Sequence, residues 1–340
     1  MFLCNRGYCH PEPKAKDLLR VLFVLLFLMG VSEACEYHTQ KPQNYLFTYS
    51  VDIQPANEEG KWLSVWIPYP VESKYQKVLK FTSTLPPNFK QPLKITQERK
   101  YGNRMIYLEG KTSKAPLYLS FEYEVARYPY FGCKEKNCGT YSKPALYGGP
   151  DKWVPLFPQI RTIAAEQAKT AKKPSEKIRA FYDYVIREMK YDKSGEGWGR
   201  GDAVWACTYK RGNCTDFHSL FIAMSRSEKI PARFEIGVPI PQDQTSGEIP
   251  SYHCWAEAYA SDQGWIPIDA TEAKKTGKID EYFGTLPANR IEFSRGRDLV
   301  LAPPQTGEPL NYFIYPYAEV EGIPVSNIEK KFYFKKLKSS

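Results

Sequence analysis

The feature that most constrains the fold of this chain is a change in the spacing of its hydrophobic residues. Across residues 45–128 the spacing is two, which is typical of strands with one buried face. One segment carries Leu117, Leu119 and Phe121 on the same side. Short segments of this kind, separated by turn-forming residues, predict a β-sandwich over residues 36–130.

Helical spacing replaces this alternation in the second half of the chain. Residues 160–172 and 175–190 predict helices, and the second has a continuous apolar stripe. A third predicted helix covers residues 214–227, and alternating strands follow it. Helices followed by antiparallel strands predict an α+β domain, with helices packed on an antiparallel sheet, which we assign to residues 159–305. We predict further strands in residues 306–340.

A segment rich in glycine and proline lies between these two parts of the chain. It predicts a linker over residues 131–158. Cys133 and Cys138 are flanked by glycines in this segment, so we expect a disulfide between them that closes a small loop.

The start of the chain has the pattern of a secretory signal. A basic segment precedes an apolar run at residues 21–31, and small residues follow. The run is short for a membrane span, so we predict a signal peptide at residues 1–34, with a retained N-terminal anchor as the alternative. Cleavage after Ala34 would leave Cys35 first, which resembles a bacterial lipoprotein signal. We expect export to the periplasm or cell envelope, with lipid attachment at Cys35 or, without it, secretion.

The charge of the chain argues against one class of partner. Lys and Arg total 47 and Asp and Glu total 38, so the formal net charge is +9, spread along the chain. A nucleic-acid-binding protein would concentrate such an excess on one face. We therefore expect no nucleic-acid partner, and a basic surface that is compatible with anionic envelope polymers.

Export also bears on the cysteines, because disulfides persist outside the cytoplasm. If Cys35 is lipid-modified and Cys214 stays free, Cys207 and Cys254 remain as a candidate disulfide pair.

Three local patterns carry candidate chemistry. Cys214 opens the third predicted helix, where the helix dipole favours the thiolate and free backbone N–H groups can hold an oxyanion. A nucleophilic cysteine needs a base, and His253 on a predicted strand can face Cys214. His218, one turn along the same helix, is interpreted as a polar residue at the helix edge. Asp269 ends the next predicted strand, so a hairpin would place its carboxylate beside His253.

Each of these patterns has a simpler alternative. A cysteine at this position is also typical of a small buried side chain without chemistry. An aspartate that ends a strand is also typical of the residue that opens a turn. The residues alone leave these alternatives open.

Four motifs together resemble those of the transglutaminase-like superfamily. They are GNCTD at residues 212–216, IPAR at 230–233, HCWAEAY at 253–259 and GWIPIDAT at 264–271, and the resemblance covers residues 175–273. It implies a papain-like fold with a Cys-His-Asp triad in this order along the chain.

The resemblance implies that Cys214, His253 and Asp269 are the catalytic residues. It implies supporting roles for a further set: Trp255, Trp265, Arg233 and Asn213. Beyond the N–H group of the cysteine itself, the candidates for contact with an oxyanion are Trp205 and Trp198. The segment WIPYP at residues 66–70 also resembles the β-rich domain that precedes such cores in bacterial exported members.

We expect the reaction to be acyl transfer through a thioester. His253 takes the proton of Cys214, the thiolate attacks a peptide or amide carbonyl, and His253 protonates the leaving amine. Water as acceptor would make the protein a peptidase or amidase, and an amine would make it a protein-glutamine transferase. The residues leave both open. The expected substrate is a peptide or protein, including cell-envelope material.

Two other classes of protein stay as alternatives. A non-catalytic binding or scaffold protein of the envelope could retain the same fold. A metal site is a further alternative, but the sequence lacks a Cys-x-x-Cys pair, a calcium-binding loop and a phosphate-binding glycine loop. We therefore expect no metal and no cofactor. The residues that such a metal site would use are Cys207, Cys214, His218, His253 and Cys254.

Overall fold

The computed structural model describes residues 41–90, 92–132 and 143–338. The predicted signal peptide, Cys35 and the predicted Cys133–Cys138 disulfide lie outside these residues and stay predictions. Within the described ranges, no helix combines the length and the hydropathy needed to cross a bilayer.

The described residues form sixteen strands and five α-helices, with a short 3-10 helix at Pro144–Tyr147. In chain order the strands are β1 (Gln43–Ile53), β2 (Trp62–Pro68), β3 (Gln76–Thr84), β4 (Lys94–Gln97), β5 (Arg104–Lys111), β6 (Leu117–Arg127), β7 (Lys190–Tyr191), β8 (Arg211–Gly212), β9 (Ala232–Pro239), β10 (Ser246–Ile249), β11 (His253–Ala260), β12 (Gly264–Ile268), β13 (Arg290–Arg295), β14 (Tyr317–Val320), β15 (Ile323–Val325) and β16 (Ile328–Leu337). The helices are α1 (Pro158–Gln167), α2 (Pro174–Glu188), α3 (Ala203–Tyr209), α4 (Cys214–Ser227) and α5 (Ala270–Thr276).

Alternation in the early strands builds a sandwich of two five-stranded antiparallel sheets. The first sheet has the order β10-β16-β1-β6-β3 and the second has the order β15-β14-β2-β5-β4. Every second residue of β1 from Tyr45 to Ile53 is buried, because one face of the strand points inward. These side chains share one hydrophobic cluster with Leu63 and Val65 of β2. The predicted α+β class with an N-terminal sheet region is therefore confirmed.

The two ends of the described chain meet in the first sheet. β16 pairs with β1 along its length, from Leu337 opposite Asn44 to Ile328 opposite Ile53. Its other edge pairs with β10, which follows β9 in the second half of the chain. The sandwich thus takes strands from the start, the middle and the end of the described residues.

The local sequence sets the limits of α2. Pro174 occupies the first turn, where its missing N–H group has no intrahelical partner to lose. The Glu176 carboxylate accepts the backbone N–H groups of Lys172 and Lys173, which closes the turn before the helix. The predicted apolar stripe is buried on the inner face, as at Phe181.

Helix α4 is the central element of the second half. Every residue of α4 except Ser227 is buried. It packs against β11 of the four-stranded antiparallel sheet β12-β11-β9-β13, which we call the core sheet, and α1, α2 and α3 pack around it. β11 and β12 pair as the predicted hairpin, with Ala256 opposite Ile268. The end of β12 therefore lies close to the start of β11.

The central place of β16 makes its inward side chains important for stability. Phe334 is 3% exposed, whereas the neighbouring Tyr333 points outward and is 37% exposed. Phe334→Ala is expected to lower the free energy of unfolding by about 3–5 kcal/mol, because it leaves a cavity between the sheets. Tyr333→Ala is the matched control, with an expected loss of about 1 kcal/mol or less. Urea unfolding measures both, and equal losses would contradict the packing of this strand.

Candidate active site

Cys214 lies at the start of α4, where a capping box fixes the backbone. Asn213 is the N-cap residue, and its side-chain oxygen accepts the N–H group of Thr215 at 2.9 Å. In return, the Asp216 carboxylate accepts the N–H group of Asn213 at 2.9 Å. The Cys214 sulfur therefore lies at the positive end of the helix dipole, as the sequence predicts. Asn213 is one of the predicted supporting residues, and its contribution is to cap the helix that begins at Cys214.

The Asp216 carboxylate also holds the loop that precedes α3. It accepts the N–H groups of Gly199 at 2.7 Å and Gly201 at 3.0 Å. Gly212 has a φ of +141°, and a Cβ atom there would lie 2.3 Å from an Asp216 carboxylate oxygen. Any larger residue at this position would therefore displace the carboxylate that caps the helix.

The structure brings His253 and Asp269 together beside Cys214. His253 is the first residue of β11, and its Nε2 atom lies 2.7 Å from Oδ2 of Asp269. The pKa of His253 responds to burial, to Asp269 and to Cys214, which places the thiol near the imidazole. Asp269 directly follows β12 and is the N-cap of α5, where its Oδ1 atom accepts the Glu272 N–H group at 3.1 Å. The β11–β12 hairpin is what sets the two side chains side by side.

Electrostatics in this group favour a thiolate–imidazolium pair. Hydrogen bonds from Cys254 and His253 lower the pKa of the Cys214 thiol well below its usual range, although burial opposes them. Burial lowers the pKa of His253, but the Asp269 carboxylate and Cys214 outweigh it and raise that pKa to about 9. Burial raises the pKa of Asp269, but His253 and Arg290 outweigh it and hold that pKa well below its usual range. The two pKa shifts therefore run in the directions that favour a proton on His253 over one on Cys214.

Arg290 is a contact of the carboxylate that the sequence analysis misses. It lies on β13 at the far edge of the core sheet, and its Nη1 atom is 3.0 Å from Oδ2 of Asp269. Both side chains are buried. A second cation on the same oxygen keeps the carboxylate ionised. No motif marks this arginine, because its partner lies 21 residues away on a different element.

His218 has a different place from the one that the sequence analysis expects. The side chain is completely buried, so the interpretation as a polar residue at the helix edge is wrong. Its Nδ1 atom lies 2.8 Å from the Cys214 carbonyl oxygen, and its Nε2 atom accepts the Ala270 N–H group at 3.1 Å. Burial lowers the pKa of His218 and favours the neutral ring. His218 thus ties the start of α4 to the turn that follows Asp269.

The other predicted supporting residues belong to the sheet behind His253. The ring of Trp255 has its centroid 6.2 Å from that of His253, and its N–H group donates to Glu235 at 2.6 Å. Arg233 lies with its guanidinium carbon 4.2 Å from the ring centroid of Trp265. These contacts support the core sheet on the face from which His253 extends.

The two tryptophans that are candidates for oxyanion contact have separate surroundings. The N–H group of Trp198 donates to the Gly195 carbonyl oxygen at 3.0 Å, so it is engaged within its own loop. The indole of Trp205 lies under Gly197, where an added Cβ atom would come within 2.4 Å of its Nε1 atom. The oxyanion role of either residue stays a prediction.

Tyrosines near the sulfur are a second feature that the sequence analysis misses. The Tyr252 hydroxyl accepts a hydrogen bond from the Asn213 side chain at 3.1 Å. The rings of Tyr312 and Tyr315 each have their centroid 5.8 Å from that of Tyr252. Burial raises the pKa of all three tyrosines, and the charge of a Cys214 thiolate nearby raises it further. Tyr312 and Tyr315 come from the segment predicted to form only C-terminal strands.

The cysteines are arranged differently from the predicted pair. Cys207, Cys214 and Cys254 are all free and buried, so the candidate disulfide between Cys207 and Cys254 is wrong. The Cys254 sulfur instead lies 3.7 Å from Nδ1 of His218. Across the part of the chain that the structure describes, no group of three or more His, Cys, Asp and Glu side chains is arranged to hold a metal ion.

Comparison with known proteins defines the class of the core. Residues 161–270 match the sequence profile of the Transglutaminase-like superfamily. This match includes Cys214, His253 and Asp269. The chain therefore contains a transglutaminase-like core, and the resemblance drawn from the four motifs is confirmed.

Relatives and solved structures extend the likeness beyond the core. A protein of Haemophilus influenzae, named "Uncharacterized protein", is 27% identical over 333 residues, which cover 84% of this chain and 88% of that protein. A crystal structure of a "Putative Cysteine Protease" from Cytophaga hutchinsonii has a TM-score of 0.58 at 16% identity, and the match covers 88% of this chain and 93% of that chain. The second comparison shows a shared fold across both the sandwich and the core.

A further structure is more distant. The periplasmic domain of TgpA from Pseudomonas aeruginosa has a TM-score of 0.35 at 14% identity, covering 73% of this chain and 96% of that chain. A likeness of this size carries no structural argument.

The contact between Arg290 and Asp269 gives a test of the site's electrostatics. Arg290→Met is expected to lower the free energy of unfolding at pH 7 by about 3 kcal/mol, because it removes one of the cations that compensate a buried carboxylate. The folded-state pKa of Asp269 is held below its unfolded value, so this contribution is present above the unfolded pKa and is lost as the pH falls through the folded one. The difference between wild type and variant should therefore shrink in acid.

Urea unfolding at a series of pH values measures this effect. Arg187→Met is the control, because the Arg187 side chain is 56% exposed and its pair with Glu188 lies at the surface. Its expected loss is below about 0.5 kcal/mol. An Arg290→Met loss no larger than that of the control, or one that does not change with pH, would contradict the role of Arg290.

Proposed function

We propose that this protein is a cysteine-dependent acyl-transfer enzyme that acts on peptide or amide bonds. Cys214 is the nucleophile and His253 is the general acid and base. Asp269 orients the imidazole and raises its pKa. The observation that carries the proposal is the 2.7 Å pair of His253 Nε2 and Asp269 Oδ2 near a thiol of lowered pKa, with the pKa of the imidazole raised to about 9. Opposite pKa shifts on a neighbouring thiol and imidazole are typical of an activated nucleophile.

The first half of the reaction begins from the ion pair. The Cys214 thiolate attacks the carbonyl carbon of the substrate, and the carbonyl oxygen gains the negative charge of the tetrahedral intermediate. The N–H group of Cys214 heads α4 and has no intrahelical acceptor, so it can donate to this oxyanion. When the C–N bond breaks, His253 gives its proton to the leaving amine, and a thioester on Cys214 remains with a neutral imidazole.

The second half of the reaction restores the site. Neutral His253 removes a proton from the incoming water or amine, which attacks the thioester carbonyl. Collapse of the second tetrahedral intermediate expels the Cys214 thiolate beside the newly formed imidazolium. The product is a carboxylic acid if the acceptor is water and a new amide if it is an amine.

The substrate class follows from the expected site of action. The export predicted from residues 1–34 points to peptides and amide-containing polymers of the periplasm or cell envelope. Tyr252, Tyr312 and Tyr315 are half-buried and offer flat, partly apolar surfaces with hydroxyl groups, which suit the backbone and side chains of an extended peptide.

The direct test compares the wild-type protein with Cys214→Ala on a peptide library that also contains a primary amine. Mass spectrometry separates addition of water from addition of the amine. We expect products from the wild type and a loss of at least about 10³-fold in Cys214→Ala, because the nucleophile is gone. Cys207→Ala is the matched control: Cys207 is a buried thiol on α3, and the variant should retain full turnover.

One outcome of this test would favour the scaffold alternative. If neither the wild type nor Cys214→Ala changes any peptide, and alkylation of Cys214 leaves binding to envelope material unaffected, the enzyme proposal fails.

The pH dependence of the reaction is a second test. The imidazolium is needed as the acid, so kcat/KM should fall at alkaline pH with an apparent pKa of about 9. Asp269→Asn should shift this alkaline limb to lower pH, because the charge that raises the pKa of His253 is removed. Measurement of kcat/KM from pH 4 to pH 10 checks both points. An alkaline limb that stays in place in Asp269→Asn would exclude the assigned role of Asp269.

A further inference from the structure

His218 is a buried imidazole that contacts the backbone of two parts of the site, and the mechanism above assigns it no role. The side chain is completely buried. Its Nδ1 atom lies 2.8 Å from the carbonyl oxygen of Cys214, and its Nε2 atom lies 3.1 Å from the backbone nitrogen of Ala270. Cys214 carries the nucleophilic sulfur, and Ala270 directly follows Asp269. One ring therefore joins the residue of the nucleophile to the neighbour of the carboxylate.

The two backbone partners fix the protonation state of this ring. A carbonyl oxygen can only accept a hydrogen bond, so Nδ1 of His218 carries a proton and donates it. A backbone N–H group can only donate, so Nε2 presents a lone pair. Both contacts are made together only by the neutral ring with its proton on Nδ1. Burial, which lowers the pKa of His218, favours the same neutral form.

The neutral ring leaves the Asp269 carboxylate to its other partners. The Nε2 atom of His218 lies 3.9 Å from Oδ1 of Asp269. That oxygen accepts the Glu272 N–H group, whereas Oδ2 pairs with His253. A proton on Nε2 of His218 would repel the Ala270 N–H group and attract the carboxylate. The lone pair instead holds the Ala270 backbone, so the carboxylate remains with His253.

We propose that His218 is a positioning residue, whose neutral Nδ1–H ring holds the turn after Asp269 against the start of α4 and so keeps the carboxylate on His253. The consequence for turnover rests on the proposed function, but the effect on His253 does not. His218 acts through backbone groups and not on the reacting atoms. Imidazole suits this role, because its neutral form carries one donor and one acceptor on a rigid ring.

The wild-type protein gives the first test. Histidine-selective ¹⁵N labelling and two-bond ¹H–¹⁵N spectra distinguish a proton on Nδ1 from a proton on Nε2. The chain has four histidines. We expect one of them to keep the neutral Nδ1–H form from pH 5 to pH 10, and loss of its signals in His218→Gln identifies it. If no histidine shows this form, the proposal is overturned without any variant.

Two variants separate the two contacts of the ring. The amide nitrogen of asparagine reaches the place of Nδ1, so His218→Asn keeps the donor to Cys214 and loses the acceptor for Ala270. The amide oxygen of glutamine reaches the place of Nε2, so His218→Gln keeps the acceptor. The same spectra give the pKa of His253, which is about 9 in the wild type. His218→Asn should lower it by about one unit, because the turn at Asp269 is released. His218→Gln should lower it by less than half as much.

The other titratable groups near His218 and Asp269 stay unchanged in both variants and form a common background. On the neighbouring elements they are Cys214, Cys254, His253, Arg290, Tyr182 and Tyr282. A shift that appears in His218→Asn and is largely absent from His218→Gln therefore reports the lost acceptor. Equal shifts in the two variants would mean altered packing and would overturn the proposal, as would an unchanged His253 in both.

Ser225→Ala is the matched control on the same helix. Its buried hydroxyl donates to the Phe221 carbonyl oxygen at 2.9 Å, about 10 Å along α4 from His218. The variant removes a buried hydrogen bond of α4 outside the site, so the pKa of His253 should not change. A shift as large as that of His218→Asn would show that any damage to α4 moves His253, and would overturn the assigned role.

Turnover separates this proposal from the enzyme proposal. In His218→Asn the alkaline limb of kcat/KM should move to lower pH together with the pKa of His253. If the wild type turns over peptides but His253 titrates alike in every His218 variant, only the role of His218 fails. If His253 shifts as expected in a protein that shows no turnover, only the enzyme proposal fails.

Discussion

The buried carboxylate of Asp269 is the interaction on which the arrangement of the site depends. It caps α5 through the Glu272 N–H group, hydrogen-bonds to His253 and pairs with Arg290. These partners belong to three different elements, so one side chain links the hairpin, the following helix and the far edge of the core sheet. An isolated charge at this depth would be strongly unfavourable. The buried negative charge is tolerated because its partners offset the loss of hydration. The same carboxylate raises the pKa of His253 and so favours the protonated imidazole.

A second set of buried charges joins the core sheet to the sandwich. Arg295 pairs with Glu235 at 3.1 Å, and Arg127 of β6 lies 3.9 Å from a Glu292 carboxylate oxygen. Burial raises the pKa of Glu257 to about 8, so one carboxylate of the cluster takes up a proton near neutral pH. Removing a single partner from such a cluster costs far more than a surface pair does, because the others remain buried. The cluster therefore holds the core sheet and the sandwich in a fixed position relative to each other.

The sequence allows the three main residues of the candidate site to be predicted, but not the groups that shift their pKa values. Cys214 and Asp269 stand at element ends that local patterns mark, and a hairpin was enough to bring Asp269 to His253. The candidate pair of Cys207 and Cys254 is free in the structure, because parity of cysteine number carries no information about distance. The place of His218 differs from the prediction because the Ala270 N–H group, which donates to its ring, lies 52 residues along the chain. No local sequence pattern near His218 or Ala270 predicts this contact.

The sequence by itself determined the alternating strands of the early part, the helix that presents Cys214 and the hairpin that carries His253. These depend on periodicity, caps and turns, which act over a few residues. Only the tertiary structure decided that β16 pairs with β1, that Tyr312 and Tyr315 pack beside Tyr252 and that Arg290 pairs with Asp269. Those contacts join residues far apart in the chain. Their geometry depends on how whole sheets and helices pack together, which local patterns do not encode.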